Sequence, residues 1–210
     1  MFSLPEIYPI TDTGVSGVSH AEQVEMLIAG GAKFIQLREK HASPREFYES
    51  AAVAIDIANS HGVRIIINDR VDIALALNAA GVHLGQDDLP PEQARAILGD
   101  DAIIGYSTRT IEEASAAMSL PIDYLAFGPI FPTRTKRNAN VAVGISVLRE
   151  VRKAVGDYPL AAIGGINEEL LPSVFLAGAN SAAMISALIS DVPAIADRFR
   201  KLTKMYQTNC

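Results

Sequence analysis

Cysteine is almost absent: the chain of 210 residues has one, Cys210, at its last position. A lone thiol there closes no internal disulfide and supplies neither a Cys-based metal site nor a buried nucleophile, and it fits a reducing compartment. No apolar run reaches the roughly 18 residues of a membrane span. The start, Met1-Phe2-Ser3-Leu4-Pro5-Glu6, lacks the basic and apolar regions of a signal peptide. Basic residues are in deficit, 18 Lys and Arg against 24 Asp and Glu for a net charge of −6, so the overall basic face of a nucleic-acid binder is missing. There is no Walker loop and no His/Asp/Ser constellation, and His20, His41, His61 and His83 lack metal-ligand spacing. No Gly/Ser-rich linker or shift in composition divides the chain. These absences predict a cytoplasmic protein, one domain over residues 1–210, with neither nucleic acid nor membrane as partner.

What is there is aliphatic. With 49% hydrophobic and 20% charged residues the composition is globular, and a chain of this size buries roughly 70% of its unfolded surface without staples. Runs rich in Ile, Val, Leu and Ala predict strands at 6–11, 33–38, 64–68, 81–85, 102–107, 124–128, 160–164 and 181–186. They recur about every 25 residues, room for a strand, a helix and two short loops. Helices are predicted from Ser19 or His20 to the Gly30-Gly31 stop, from Ser43-Pro44 to Gly62, from Pro90-Pro91 to Gly99, from the Thr110/Glu113 capping box towards Met118, and from Val192-Pro193 to about Met205. Apolar strands alternating with helices imply a parallel sheet covered on its outer face. Eight such units favour an α/β fold of the closed (β/α)₈ TIM-barrel type near its minimal size. An open doubly wound sheet is the second choice, and Tyr8-Pro9-Ile10-Thr11-Asp12-Thr13 after the first strand offers no Gly-x-Gly-x-x-Gly turn for it.

In a barrel the chemistry belongs at the carboxyl ends of the strands. The second strand ends Gln36-Leu37-Arg38-Glu39-Lys40, and alternation puts Gln36, Arg38 and Lys40 on one face with Leu37 and Glu39 on the other. If the polar trio faces inward its cations need anions, either an internal network with Asp69 or Asp88 or an anionic ligand such as phosphate. Asn68-Asp69 and Gln86-Asp87-Asp88 close the third and fourth strands, and two carboxylates there could share Mg²⁺ with phosphate oxygens. Ser107-Thr108 end the fifth strand. After the sixth, hydroxyls and cations gather in a long connection reaching Gly144, read as a lid or binding loop rather than a plain surface loop. Gly164-Gly165 and Ile185-Ser186 stand where such barrels frequently bind phosphate. His83, inside a strand, reads as structural; His41, beside Lys40, is a candidate ligand contact.

Five motifs together resemble those of the thiamine phosphate synthase family: Gln36-Leu37-Arg38-Glu39-Lys40, Asn68-Asp69-Arg70-Val71-Asp72, Gly81 to Leu89, Gly128-Pro129-Ile130-Phe131-Pro132-Thr133-Arg134-Thr135-Lys136, and Ala162-Ile163-Gly164-Gly165-Ile166. The resemblance spans nearly the whole chain in one order. It implies a transferase of thiamine biosynthesis that joins hydroxymethylpyrimidine diphosphate to a thiazole phosphate, carboxylated or not, giving thiamine monophosphate and pyrophosphate through a pyrimidine carbocation. By that resemblance Gln36, Arg38, Lys40, Asn68, Ser107 and Lys136 hold the pyrimidine diphosphate, with Leu37 and Glu39 in the same stretch. Asp69 and Asp88 bind one Mg²⁺. Thr133, Arg134, Thr135, Gly165, Ile185 and Ser186 hold the thiazole phosphate. Lys136, Arg38, Lys40 and Ser107 are the catalytic candidates, and a homodimer is an allowed assembly. Arg109 stands where the family often has His, and residues 137–143 depart from its Gly/Gln-containing stretch. A thiazole tautomerase-like barrel enzyme and a non-catalytic barrel that binds a phosphate ligand are the alternatives.

Overall fold

Short aliphatic runs become strands when both of their faces can be buried, and all eight runs do so here. The computed structural model describes residues 3–133 and 141–206. Its strands are β1 (Ile7–Asp12), β2 (Phe34–Arg38), β3 (Arg64–Asn68), β4 (Gly81–Leu84), β5 (Ile103–Thr108), β6 (Tyr124–Phe127), β7 (Leu160–Ile163) and β8 (Ser181–Met184). Every neighbouring pair is parallel, and β8 pairs back onto β1 through Tyr8 opposite Ala183, so the sheet closes. The expected (β/α)₈ barrel is the fold.

Alternation along each strand divides the core in two. Ile35, Leu37, Ile65, Ile67, Val82, Leu84, Ile104, Leu125 and Phe127 face outward and pack against the helices. Tyr8, Ile10, Phe34, Ile66, Ile103, Tyr124, Ala126, Ala161 and Ala183 face inward and fill the barrel. The same period carries Gln36, Arg38 and Lys40 onto the inward face, one layer after another above Phe34.

Caps start the helices where the sequence places them. Ser19/Glu22, Ser43/Glu46 and Thr110/Glu113 form reciprocal capping boxes at the heads of His20–Ala29, Pro44–Ser60 and Ile111–Ala117. The helix Pro91–Leu98 follows Pro90, and Ile195–Tyr206 follows a 3₁₀ turn at Val192–Ala194. Val71–Ala76, Gly144–Val155 and Leu171–Leu176 are helices that the periodicity did not isolate, none of them with a side-chain cap at its first turn. Strands expected to end at 85, 128, 164 and 186 stop one or two residues earlier. At the first three the chain turns on a glycine, and at the fourth Ser186 begins the short helix Ser186–Ile189.

Candidate functional site

A cavity of about 360 Å³ opens at the carboxyl ends of the strands. Gln36, Arg38, Lys40, Asn68, Asp69, Asp88, Ser107, Thr133, Gly165, Ile185 and Ser186, all singled out from the sequence, line it. Leu37 and Glu39 do not, because the strand's period turns them outward. Leu37 is fully buried between barrel and helices. Glu39 accepts the Thr13 hydroxyl at 2.6 Å and the N–H groups of Lys40, His41 and Ala42 at 2.8, 2.8 and 3.2 Å. Burial pushes the Glu39 carboxyl up, but Thr13 and those three amides together outweigh it and bring it down to about 2. Neither side chain is presented to a ligand. His41 also stays off the cavity wall. Arg134, Thr135 and Lys136 lie outside the described residues, as do residues 137–140 of the connection read as a lid.

The inward cations are paired. Lys40 meets Asp69, the internal partner anticipated from sequence, while Arg38 meets Asp12, which the sequence did not flag. Gln23, on the helix His20–Ala29, accepts the Asp12 N–H through Oε1 at 3.0 Å, and Asp12 Oδ1 accepts from Val15 N at 3.2 Å. Asp69 adopts φ 64°, a left-handed conformation uncommon outside glycine, and donates its N–H to His83 O at 2.8 Å. Residues held there cluster at binding sites, where the surroundings fix them. Asp88 lies beside it. Burial and the charge of Asp69 raise the Asp88 carboxyl, against the Gly85 N–H that Oδ2 accepts at 2.7 Å. Among the described residues no three His, Cys, Asp or Glu side chains gather to hold a metal unaided. Two neighbouring carboxylates on an open wall instead fit a hard cation that takes its remaining oxygens from water and phosphate. Among the described residues the buried Nδ2 of Asn68 has no hydrogen-bond partner, a donor left for a ligand in the same wall.

Below the charges the barrel carries a buried polar network. Tyr8 and Tyr124 share a hydrogen bond of 2.9 Å, Gln36 Nε2 donates to Tyr8 at 2.9 Å, and His83 bridges Tyr124 at 3.0 Å and Ser107 at 2.8 Å. Burial lowers His83 to about 4, with Asp69 opposing and Lys40 assisting. His83 therefore lines the cavity, more than the framework role its place in a strand suggested. Across the site, the described residues after β6 to β8 that line the cavity carry no charge. Gly164 and Gly165 sit at φ 101° and 66°, and a Cβ on Gly165 would come within 2.5 Å of Pro132 O. Only glycine lets this turn lie against the Pro129–Pro132 segment. A side groove runs on from it between Thr133, Gly165, Asn167, Ser186 and Ser190.

Fold and site together define a (β/α)₈ barrel enzyme with a cation- and carboxylate-lined cavity suited to a phosphorylated ligand. Residues 7–188 match the family model of thiamine monophosphate synthase. The chain is 44% identical over 204 residues to a thiamine-phosphate synthase of Chloroflexus aurantiacus, covering 96% of this chain and 94% of that one. It is 45% identical over 186 residues to the enzyme so named from Persephonella marina, covering 88% of each. A thiamine phosphate pyrophosphorylase from Pyrococcus furiosus superposes with a TM-score of 0.85 at 34% identity, over 97% and 96% of the two chains. The chain belongs to the thiamine monophosphate synthase family. No helix among the described residues is long and apolar enough to cross a membrane.

Proposed function

We propose that the protein condenses a hydroxymethylpyrimidine diphosphate with a hydroxyethylthiazole phosphate, giving thiamine monophosphate and pyrophosphate. The observation that carries this reading is the wall where Arg38, Lys40, Asn68, Asp69 and Asp88 meet above a neutral, hydrogen-bonding floor. Such a wall suits a diphosphate attached to a polar ring. Asp69 and Asp88 would hold Mg²⁺, which supplies neutralisation of charge on the diphosphate when bound. The methylene–oxygen bond breaks with its electron pair leaving on pyrophosphate, and the thiazole nitrogen's lone pair forms the new carbon–nitrogen bond. No proton moves and no base is needed.

Arg38, Lys40 and Lys136 stabilise the charge that grows on the departing oxygen, and Ser107 donates a hydrogen bond to the pyrimidine. Removing a donor of this kind typically costs about 10²–10³ in turnover. Thr133, Arg134, Thr135, Gly165, Ile185 and Ser186 hold the thiazole phosphate. The same reading carries a cytoplasmic location, one domain over residues 1–210, no nucleic-acid partner and a homodimer as the allowed assembly. The test is to mix the protein with both substrates and Mg²⁺ and follow pyrophosphate. Release that needs all three components is the expected result. Conversion of the thiazole alone, without Mg²⁺ or pyrimidine, would overturn it in favour of a tautomerase, and binding without turnover in favour of a sensor.

A further inference from the structure

We infer that Gln36, Tyr8, Tyr124, His83 and Ser107 form one directional hydrogen-bond relay across the barrel floor, which makes Tyr124 and His83 positioning residues for the pyrimidine ring. The inference deepens the function proposed above and rests on it for the identity of the ligand, though not for the relay itself.

The direction follows from the atoms. Gln36 Nε2 can only donate, and it donates to Tyr8 at 2.9 Å. Tyr8 is 1% exposed, and with Gln36 donating to it, its own hydrogen is the one placed to reach the Tyr124 hydroxyl at 2.9 Å. Tyr124, fully buried, then sends its hydrogen to His83 Nδ1 at 3.0 Å. A neutral imidazole that accepts at Nδ1 carries its proton on Nε2, which faces Ser107 Oγ at 2.8 Å. Ser107 accepts there, and its own hydrogen is left to point into the cavity. Reversing the Tyr124–His83 link would turn the Tyr124 hydrogen away from the imidazole nitrogen it faces at 3.0 Å.

One strand position makes the relay fit. A Cβ on Gly105 would stand 2.1 Å from Tyr124 Cζ and 2.5 Å from His83 Nδ1. The ring of Tyr124 crosses the barrel in the space that a side chain at 105 would take. His83 lies nearly parallel to it, at 27° and 5.5 Å between centroids. The two cavity-facing ends are then fixed: Ser107 as a donor, and the Gln36 carboxamide with its nitrogen committed to the floor. A ring that brings both an acceptor nitrogen and an amino donor, as an aminopyrimidine does, meets that pattern.

The test reads the relay with and without substrate. In the free ¹⁵N-labelled protein, histidine ring NMR should show His83 as the Nε2–H tautomer, and Tyr124→Phe should convert it to a mixture. Tyr124→Phe should also raise KM for the pyrimidine diphosphate about three- to tenfold while leaving KM for the thiazole phosphate unchanged. Tyr8→Phe, one link further from the cavity, should shift the same constant in the same direction by less, and it carries the test if Tyr124→Phe does not fold. A wild-type His83 protonated on Nδ1 overturns the direction. Equal KM shifts for both substrates, or none, overturn the positioning role. A wild type that never turns over the pyrimidine diphosphate defeats the functional reading alone, since the tautomer still decides the relay.

Discussion

The two halves of the cavity are built from different chemistry. The strand ends of β1 to β4 bring Asp12, Arg38, Lys40, Asn68, Asp69, His83, Asp87 and Asp88 to one side. Among the described residues, those of β5 to β8 bring Ser107, Thr108, Arg109, Pro129, Thr133, two glycines, Ile185 and Ser186. Both halves can receive phosphate, by opposite means. The first uses fixed side-chain charge, which suits a diphosphate with its metal. The second, in its described residues, offers close backbone approach and hydroxyls, which suit a monophosphate.

The contrast can be broken most forcefully in the charged half. Asp69→Asn and Asp88→Asn should each lower kcat/KM about 10²–10³-fold and raise the Mg²⁺ needed for half activity; a wild-type Mg²⁺ titration in both would remove the metal from this wall. Next comes acid stability. His83 folds with a value near 4 against 6.5 unfolded, so the unfolded chain takes up the proton first. Its contribution is complete above about pH 6.5 and declines to a loss of about 3 kcal/mol as the pH falls through 4. Urea unfolding across that range should show a slope that His83→Asn flattens, and parallel curves would contradict it. Across the cavity, Gly165→Ala at φ 66° should raise KM for the thiazole phosphate about tenfold, with KM for the pyrimidine diphosphate unmoved. Equal effects on both constants would erase the division. Glu39→Gln, which loosens the loop bearing Lys40, should raise KM for the diphosphate only about threefold. Leu37→Ala should cost about 2–5 kcal/mol of stability and leave both KM values alone, as measured by melting and by kinetics on the folded fraction.

Legibility from sequence tracked distance along the chain. The strands could be read because each is a local aliphatic burst, and the inward set Gln36, Arg38 and Lys40 because alternation is local too. Asp69 and Asp88 were legible as strand-end carboxylates. Asp12 was not, since its partner Arg38 lies 26 residues away and only the β1–β2 register brings them level. The polar floor was missed for the same reason: Tyr8 and Tyr124 are 116 residues apart and meet only because the barrel closes. His83 alternates like any inward strand residue, and nothing local told a framework histidine from one between Tyr124 and Ser107. The outward turn of Leu37 and Glu39 was readable from their parity, whereas the motif they belong to groups them with the ligand.

Gly105 has a consequence for how this sequence can change. The phenol of residue 124 occupies the volume that a side chain at 105 would need, so the two positions behave as one unit of variation. Among related chains, a larger residue at the place of Gly105 should occur only where the aromatic ring of Tyr124 has been given up, and with it the hydroxyl that orients His83. Substituting either position alone should be harmful in a way that the matched pair partly repairs.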